Sequence, residues 1–447
     1  MLQLGLGIFA FGALFATLST QPWHVVACRS VMGVGAALIM PATLSIITNV
    51  FPPHERAKAI AIWAGFAGAG AALGPVTSGW LLEHYWVGSI FLINVPIVVA
   101  ALGFGAFLVP TSRDPHHKAL DPVGGLLSMV GLGVLLYAII QAPEEGWSAP
   151  IILAGFVVAL AVLAAFVAWE RRSDHPMLPM EQFRDARFSM GAAAIGLNFF
   201  AMFGFFFVAT QYLQFVLGYS PLKAGAATLP MAVMMVLSAP RSAVVSERIG
   251  RRHTMAIGLS LAAAGMVLMS TLSPSSAYLN LVPVLLLLGT GMGLTMPPAT
   301  GAIMESMPLS KAGVGSAVND TTREVGGSLG VAVLGSILSS GYRSALDVDF
   351  SQAPVAAADL ARDGVGGALA VAQTAPGPFA DLLAGSARQA FTDAMGIVFL
   401  AAATVAVVTA LLVLRFMPSG APSHVAHPDD VAPGDLPDPD DVAPAVT

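Results

Sequence analysis

Asp320, Arg323 and Glu324 stand three and four positions apart in a stretch that hydropathy alone would leave in a loop. Those spacings put all three on one face of a helix, where they can pair. A carboxylate held beside a guanidinium in low-dielectric surroundings can release its proton when the partner moves. The trio is therefore a proton-relay candidate, and equally a salt-bridge cluster closing one end of a helix bundle. A second group is aromatic. Phe200, Phe203, Phe207, Gln211 and Gln214 recur at helical spacing. An aromatic wall with a few amides suits hydrophobic, often cationic, ligands. Met231, Met234 and Met235 follow it and can adapt their shape to varied molecules. Phenylalanines facing lipid are the plainer alternative.

The elements that would position these groups follow from composition. Of 447 residues, 56% are hydrophobic and 10% charged, against about 25% charge in a soluble protein. Ala59–Leu82, Gly146–Trp169, Phe188–Leu222 and Ala394–Leu414 contain no Asp, Glu, Lys or Arg. About 20 apolar residues suffice to cross the hydrocarbon of a bilayer. The chain reads as an all-α, polytopic membrane protein. Its net charge of −6 matches the six aspartates of the last thirty residues. The rest is balanced, so no basic surface for nucleic acid is expected. The one cysteine, Cys28, excludes an internal disulfide framework. Met1–Ser19 lacks a positive leading segment and a cleavage site, and reads as a membrane helix rather than a signal peptide.

Charge breaks and Pro/Gly/Ser clusters give twelve spans, near 3–19, 25–50, 58–81, 87–109, 122–142, 150–169, 188–215, 224–244, 254–272, 279–303, 313–338 and 395–416. Asp347–Asp393 reads as a polar loop. The Pro- and Asp-rich 418–447 reads as a disordered tail. Alternate connections hold Arg56 and Lys58; Arg113 and Lys118; Arg171, Arg172, Arg184 and Arg187; Arg248, Arg251 and Arg252; Lys311; and Arg415. The opposite short connections hold only Lys223 among basic residues, so both termini are expected in the cytoplasm.

Shifting the sequence by 256 positions aligns 33–82 with 289–338. Gly33, Gly35, Met40, Pro41 and Pro52 meet Gly289, Gly291, Met296, Pro297 and Pro308. Gly70, Gly74 and Gly79 meet Gly326, Gly330 and Gly335. Parallel repeats of this kind occur in transporters built of two similar halves. The repeat pairs the second and third spans with the tenth and eleventh. If each half has six helices, 173–417 is a complete six-helix bundle and 111–172 holds two linker helices. Residues 1–110 then supply four helices of the first half, and its first two would lie before Met1. Asp320, Arg323 and Glu324 map onto Ala64, Ala67 and Gly68 of the third span. At about 1.5 Å per residue they would lie roughly 10–16 Å along the eleventh.

Three further stretches carry candidate roles. In the third span, Gly70, Gly74 and Gly79 could let helix backbones touch, and Pro75 removes a donor and kinks the helix. Arg29, near the outer end of the second span, must pair, face water or snorkel to the interface. In Glu247-Arg248-Ile249-Gly250-Arg251-Arg252 the carboxylate is read as preceding a helix N-terminus, where the dipole favours it. Orientation charge alone is the simpler reading.

These segments resemble the major facilitator superfamily, in its fourteen-helix drug:proton antiporter branch. The third span is similar to the antiporter motif GxxxGPxxGG, with Ser78 departing. The second is similar to RxxQGxGxA, with Met32 for the glutamine. The loop is similar to GxLaDRxGRR, with Ala243 for the first glycine and Glu247 for the aspartate. Phe91–Pro96 and Arg323–Gly330 also read like this branch. The resemblance implies a two-bundle fold of which about 12 transmembrane helices are present. The family's better copy of the GxLaDRxGRR loop, and an acidic residue of its first helix important for proton coupling, would precede Met1. Either the true start lies upstream or this is a shortened copy.

No GxxxxGK[ST] phosphate loop is present, and the nine histidines form no metal-ligand array. No enzymatic activity and no cofactor or metal are expected. The reading is a proton-coupled exporter of hydrophobic or cationic drug-like compounds. It would sit as a monomer in the lipid bilayer of the inner membrane and take a small-molecule substrate and protons as partners. An uptake or facilitator permease and a non-transporting remnant remain alternatives.

Overall fold

The computed structural model describes residues 1–51, 70, 73–108, 121–173, 176–178, 180–307, 312–351, 354–375 and 377–418. Most of the third span lies outside them, as do Arg56, Lys58, Arg113, Lys118, Lys311 and the acidic tail.

The described residues form helices and no strand. The first half contains α1 (Leu2–Thr17), α2 (Pro22–Val50), α3 (residues 73–84), α4 (Ser89–Leu92) and α5 (Asn94–Leu108). A hairpin of α6 (Pro122–Glu145) and α7 (Pro150–Glu170) follows. The second half has α8 (Ala186–Gln211), α9 (Pro221–Ala227), α10 (Leu229–Ile249), α11 (Arg251–Met269), α12 (Tyr278–Glu305) and α13 (Ala312–Ala345). Next come α14 (Val355–Asp363), α15 (Val365–Thr374) and α16 (Pro378–Phe416). Ten spans among the described residues are long and apolar enough to cross a membrane.

Local chemistry sets the helix ends. Asp121 caps α6 by accepting from the Gly124 N–H at 2.8 Å. Ser220 caps α9, with Pro221 in the first turn, where the missing N–H costs nothing. Pro230, in the first turn of α10, splits the expected eighth span at Thr228. Gly250, with φ of +85°, alone joins α10 to α11, a conformation that side chains with a Cβ rarely adopt.

One expectation is corrected. Asp347–Asp393 is not a polar loop, because α14, α15 and the start of α16 occupy most of it. α16 has 39 residues, or roughly 58 Å at 1.5 Å each, well beyond the hydrocarbon it must cross. Its first turns therefore project from the membrane. α14 folds onto the end of α13 there, tied by the Tyr342 hydroxyl donating to the Ala361 carbonyl at 3.0 Å.

Six long helices of the second half pack around two buried clusters. One lies at the α14–α15 end and includes Phe205, Tyr212, Met266, Leu285, Leu338, Phe391 and Phe399. The other lies at the arginine-rich end, around Phe188, Ile195, Met255, Ala299 and Val413. Lipid is as apolar as leucine, so close backbone approach must supply much of the adhesion between spans. Glycines provide it. A Cβ on Gly326 would lie 2.1 Å from the Gly196 carbonyl oxygen, and one on Gly330 would lie 2.2 Å from that of Phe200. Gly289 and Gly293 seat α12 against α10 at Met231 and Met235 in the same way.

The α6–α7 hairpin docks on α13. The Ser336 hydroxyl donates to the Ile139 carbonyl at 2.6 Å, Arg343 to the Pro143 carbonyl at 2.8 Å, and the Trp147 indole to Ser340 at 3.5 Å.

Candidate functional site

α8 and α13 run side by side in the same direction, and their facing residues build a column. Arg323 lies over the Phe199 ring, 4.6 Å from its centroid. Phe203 covers Gly327 and Phe207 covers Gly335, each within 3.2 Å of where a Cβ would sit. Glycine at both positions leaves the rings room to lie against α13. Both phenylalanines keep about two-fifths of their surface exposed while touching the neighbouring helix, which favours a wall over a purely lipid-facing surface.

Asp320 sits one turn before Arg323, with its Oδ1 3.6 Å from the guanidinium. Both side chains are largely buried. The Asn319 amide donates to Asp320 Oδ1 at 3.4 Å, and Thr300 on α12 donates to Asn319 at 3.2 Å. Asp320 Oδ2 is buried without a hydrogen-bond partner. Eight residues into α13, it lies about 12 Å from the helix start. Such a carboxylate, bonded on one oxygen and bare on the other, has a place for a proton. Glu324 is exposed and turned further round the helix, so the expected trio reduces to a pair with Glu324 beside it.

Other expected residues scatter. Gln211 donates to the Phe207 carbonyl at 3.2 Å, keeping the end of the aromatic stripe polar. Gln214 falls in a π-helical segment, Tyr212–Val216. This wider turn shifts the register, so Gln214 leaves the face assumed from regular helical spacing. Tyr212 turns inward there, its hydroxyl donating to the Ser273 carbonyl at 2.9 Å. Met231 is 3% exposed within the cluster at the α14–α15 end, so its side chain serves packing instead of forming an open surface. Arg29 is exposed on α2.

In the antiporter stretch, a Cβ on Gly70 or Gly74 would meet nothing within 4 Å among the described residues. The kink expected at Pro75 involves residues 71–72, which are not described. The close approach lies further along. The Pro75 carbonyl oxygen is 2.4 Å from where a Cβ on Gly225 would sit, and a Cβ on Gly79 would be 2.5 Å from the Pro221 carbonyl oxygen. α3 and α9 thus touch backbone to backbone across the two halves. Glu83 completes the contact by accepting from the Leu222 N–H at 3.0 Å. Hydrogen bonds from the Ser220 hydroxyl and then the Leu222 N–H hold its carboxyl below the usual glutamate range. Glu83 did not stand out in the sequence, since its partner is 139 positions away.

At the arginine-rich end, Glu247 lies in the last turn of α10 and is exposed. It does not precede a helix N-terminus, which corrects the dipole argument; Arg248 in that turn is the favoured charge. The carboxylate that grips the loop is Glu305 at the end of α12, which takes two hydrogen bonds from Arg251. Arg252 lies next to His253.

Across the chain, the close approach of Gly35 to the Gly5 carbonyl and Phe9 of α1 matches that of Gly291 to the Gly258 carbonyl and Ala262 of α11. A repeat recognised by its matched glycines and prolines thus makes the same contact twice. Known proteins agree with such a frame. The chain is 36% identical to the multidrug efflux pump LfrA of Mycolicibacterium smegmatis, over 93% of this chain and 81% of that protein. It is 32% identical to the tetracenomycin C resistance and export protein of Streptomyces glaucescens, over 96% and 80% respectively. A solved POT family transporter superposes with a TM-score of 0.59 over 93% of this chain and 80% of that one; at 13% identity it shows the fold alone. The family model described as Major Facilitator Superfamily matches residues 1–331, most of the chain, and the chain belongs to that superfamily.

Proposed function

We propose that the chain exports hydrophobic or cationic drug-like compounds across the inner membrane by alternating access, driven by protons. Relatives named for multidrug efflux and for antibiotic export support the direction and substrate class. The observation that carries the reading is the α8–α13 column. It combines two half-exposed phenylalanines with a buried Asp320–Arg323 pair one or two turns away. An aromatic wall attracts flat, cationic molecules. A carboxylate at the same depth can be neutralised by a proton or faced by a substrate cation, but cannot hold both charges at once. Competition of that kind is sufficient for exchange.

In this reading the backbone contact between α3 and α9 closes the outer side, and the Arg251–Glu305 grip steadies the cytoplasmic end. The orientation rests on the arginines at the ends of α7, α10 and α16 and the start of α11. The protein acts as a monomeric carrier in the fourteen-helix branch.

Right-side-out membrane vesicles loaded with a fluorescent cationic drug test the mechanism. Asp320→Asn should abolish pH-driven efflux while leaving drug binding measurable. Unchanged coupling would dismiss the relay, leaving Asp320 and Arg323 as a structural pair, a reading their 3.6 Å separation also suits. Phe203→Ala and Gln211→Ala should alter the drug profile at unchanged expression.

A further inference from the structure

Two carboxylates converge at the arginine-rich base of the α6–α7 hairpin, and they are not absorbed by the transport reading. Asp121 Oδ1 caps α6, and the Trp169 indole donates to both Asp121 oxygens at 3.0 and 2.9 Å. Glu170, the last residue of α7, is 2% exposed. Its Oε2 accepts from the Leu178 N–H at 2.8 Å, whereas its Oε1 is buried without a hydrogen-bond partner. That bare oxygen does not point into empty space. A Cβ placed on Gly124 would lie 2.4 Å from Glu170 Oε1 and 2.7 Å from Asp121 Oδ2. The two oxygens therefore face the same point across a residue that has no side chain.

Leaving both groups ionised there would place two like charges together, one of them out of water, with no cation between them. Arg171 and Arg172, next in the chain, are exposed, as are Glu181 and Arg184 of the following 3-10 turn. None of these four is recorded in an ion pair with either carboxylate. His116, His117, Lys118, Asp174 and His175 lie outside the described residues. Among the described residues the donors around the pair are the Trp169 indole and the backbone N–H groups of Gly124, Leu178 and Met177. Among the described residues, no donor reaches Glu170 Oε1.

We propose that Asp121 and Glu170 form a proton-binding site, holding a single proton on Glu170 Oε1 that is donated toward Asp121. The bound proton joins the start of α6 to the end of α7, and through Leu178 it fixes the connector leading to α8. Release of that proton to water leaves two facing carboxylates, whose repulsion opens the base of the hairpin. The clamp is therefore present at low pH and lost as pH rises. This inference is independent of the substrate and of the transport direction.

Limited trypsin digestion of the purified chain in lipid nanodiscs tests it. Cleavage after Arg171 and Arg172 is read by mass spectrometry and normalised to cleavage after the exposed Arg248, which cancels the pH dependence of the protease. The wild-type ratio should rise several-fold from mildly acidic to mildly alkaline buffer. Glu170→Gln, whose amide donates permanently, should stay low and flat across the range. Asp121→Asn should do the same by donating in the opposite direction, and it serves if the first variant fails to fold. A flat wild-type ratio, or a folded variant that follows the wild-type rise, would overturn the proposal.

Discussion

Residues 33–82 and 289–338 share their glycine spacing, yet the two copies use it differently. Gly289, Gly326 and Gly330 in the second half each sit against a backbone carbonyl of α8 or α10. Their counterparts Gly33, Gly70 and Gly74 meet nothing within 4 Å among the described residues. Gly35 and Gly291, by contrast, both carry a crossing helix. The occupied seats in the second half belong to its first two long helices, and no described helix stands in the matching places of the first. Burial follows the same division. More than half of the best window in Ala186–Val216 is buried, against 6% of that in Pro22–Met40. A glycine pattern is thus permission for contact; the contact itself needs a helix lying across it.

That contrast can be broken by substitution. Gly330→Leu should produce the largest effect, since its side chain would enter the Phe200 backbone, which cannot move without separating α8 from α13. Overpacking costs about 1–3 kcal/mol and sometimes more, so thermal unfolding in detergent should shift sharply or the protein fail to accumulate. Gly74→Leu should leave the same measurement almost unchanged. Equal losses in both would show that the first-half seat is filled after all.

Next in size is the contact between halves. Gly79→Val or Gly225→Val should push α3 away from α9. Spin labels on Leu82→Cys and Leu222→Cys, in a Cys28→Ser background, should report a longer distance. The Glu83 contact should have a smaller and pH-dependent effect. Its carboxyl is held below the ordinary glutamate value of 4.5 by accepted hydrogen bonds. The stabilisation is therefore fully present above that value and is lost as pH falls through the lowered one. The same labels should separate further only in acid, and Glu83→Gln should remove that acid step. A change near neutrality would contradict the assignment. Smallest is Glu305→Gln. The Arg251–Glu305 pair is more than a third exposed, and exposed pairs contribute about 0–1 kcal/mol. Its effect on unfolding should vanish in high salt.

Much of this frame was legible because membrane crossing imposes length and polarity on a sequence. Most helix ends lie within a few residues of the charge and proline breaks. The Asp320–Arg323 pair followed from i,i+3 spacing, and the repeat aligned Gly35 with Gly291, both of which carry a crossing helix. What escaped notice depends on groups far apart in the chain. Glu83 meets Leu222 139 positions away, and Arg251 meets Glu305 54 positions away. Asp347–Asp393 looked like a loop because its alanines carry weak hydropathy, yet α14 and α15 fold by packing on the projecting ends of α13 and α16. The π-helical turn at Tyr212–Val216 left no periodic signature, so Gln214 was assigned to a face it does not occupy.

The hydrogen bonds that Ser336 and Arg343 donate to the α6–α7 hairpin, and that its Trp147 donates to Ser340, have a mechanical consequence. Among the described residues that hairpin is fastened to the second half, so any tilt of that bundle sweeps it sideways like an oar. Surrounding phospholipid must part along that flank on every stroke. The carrier's turnover should therefore sense bilayer stiffness chiefly through these two helices.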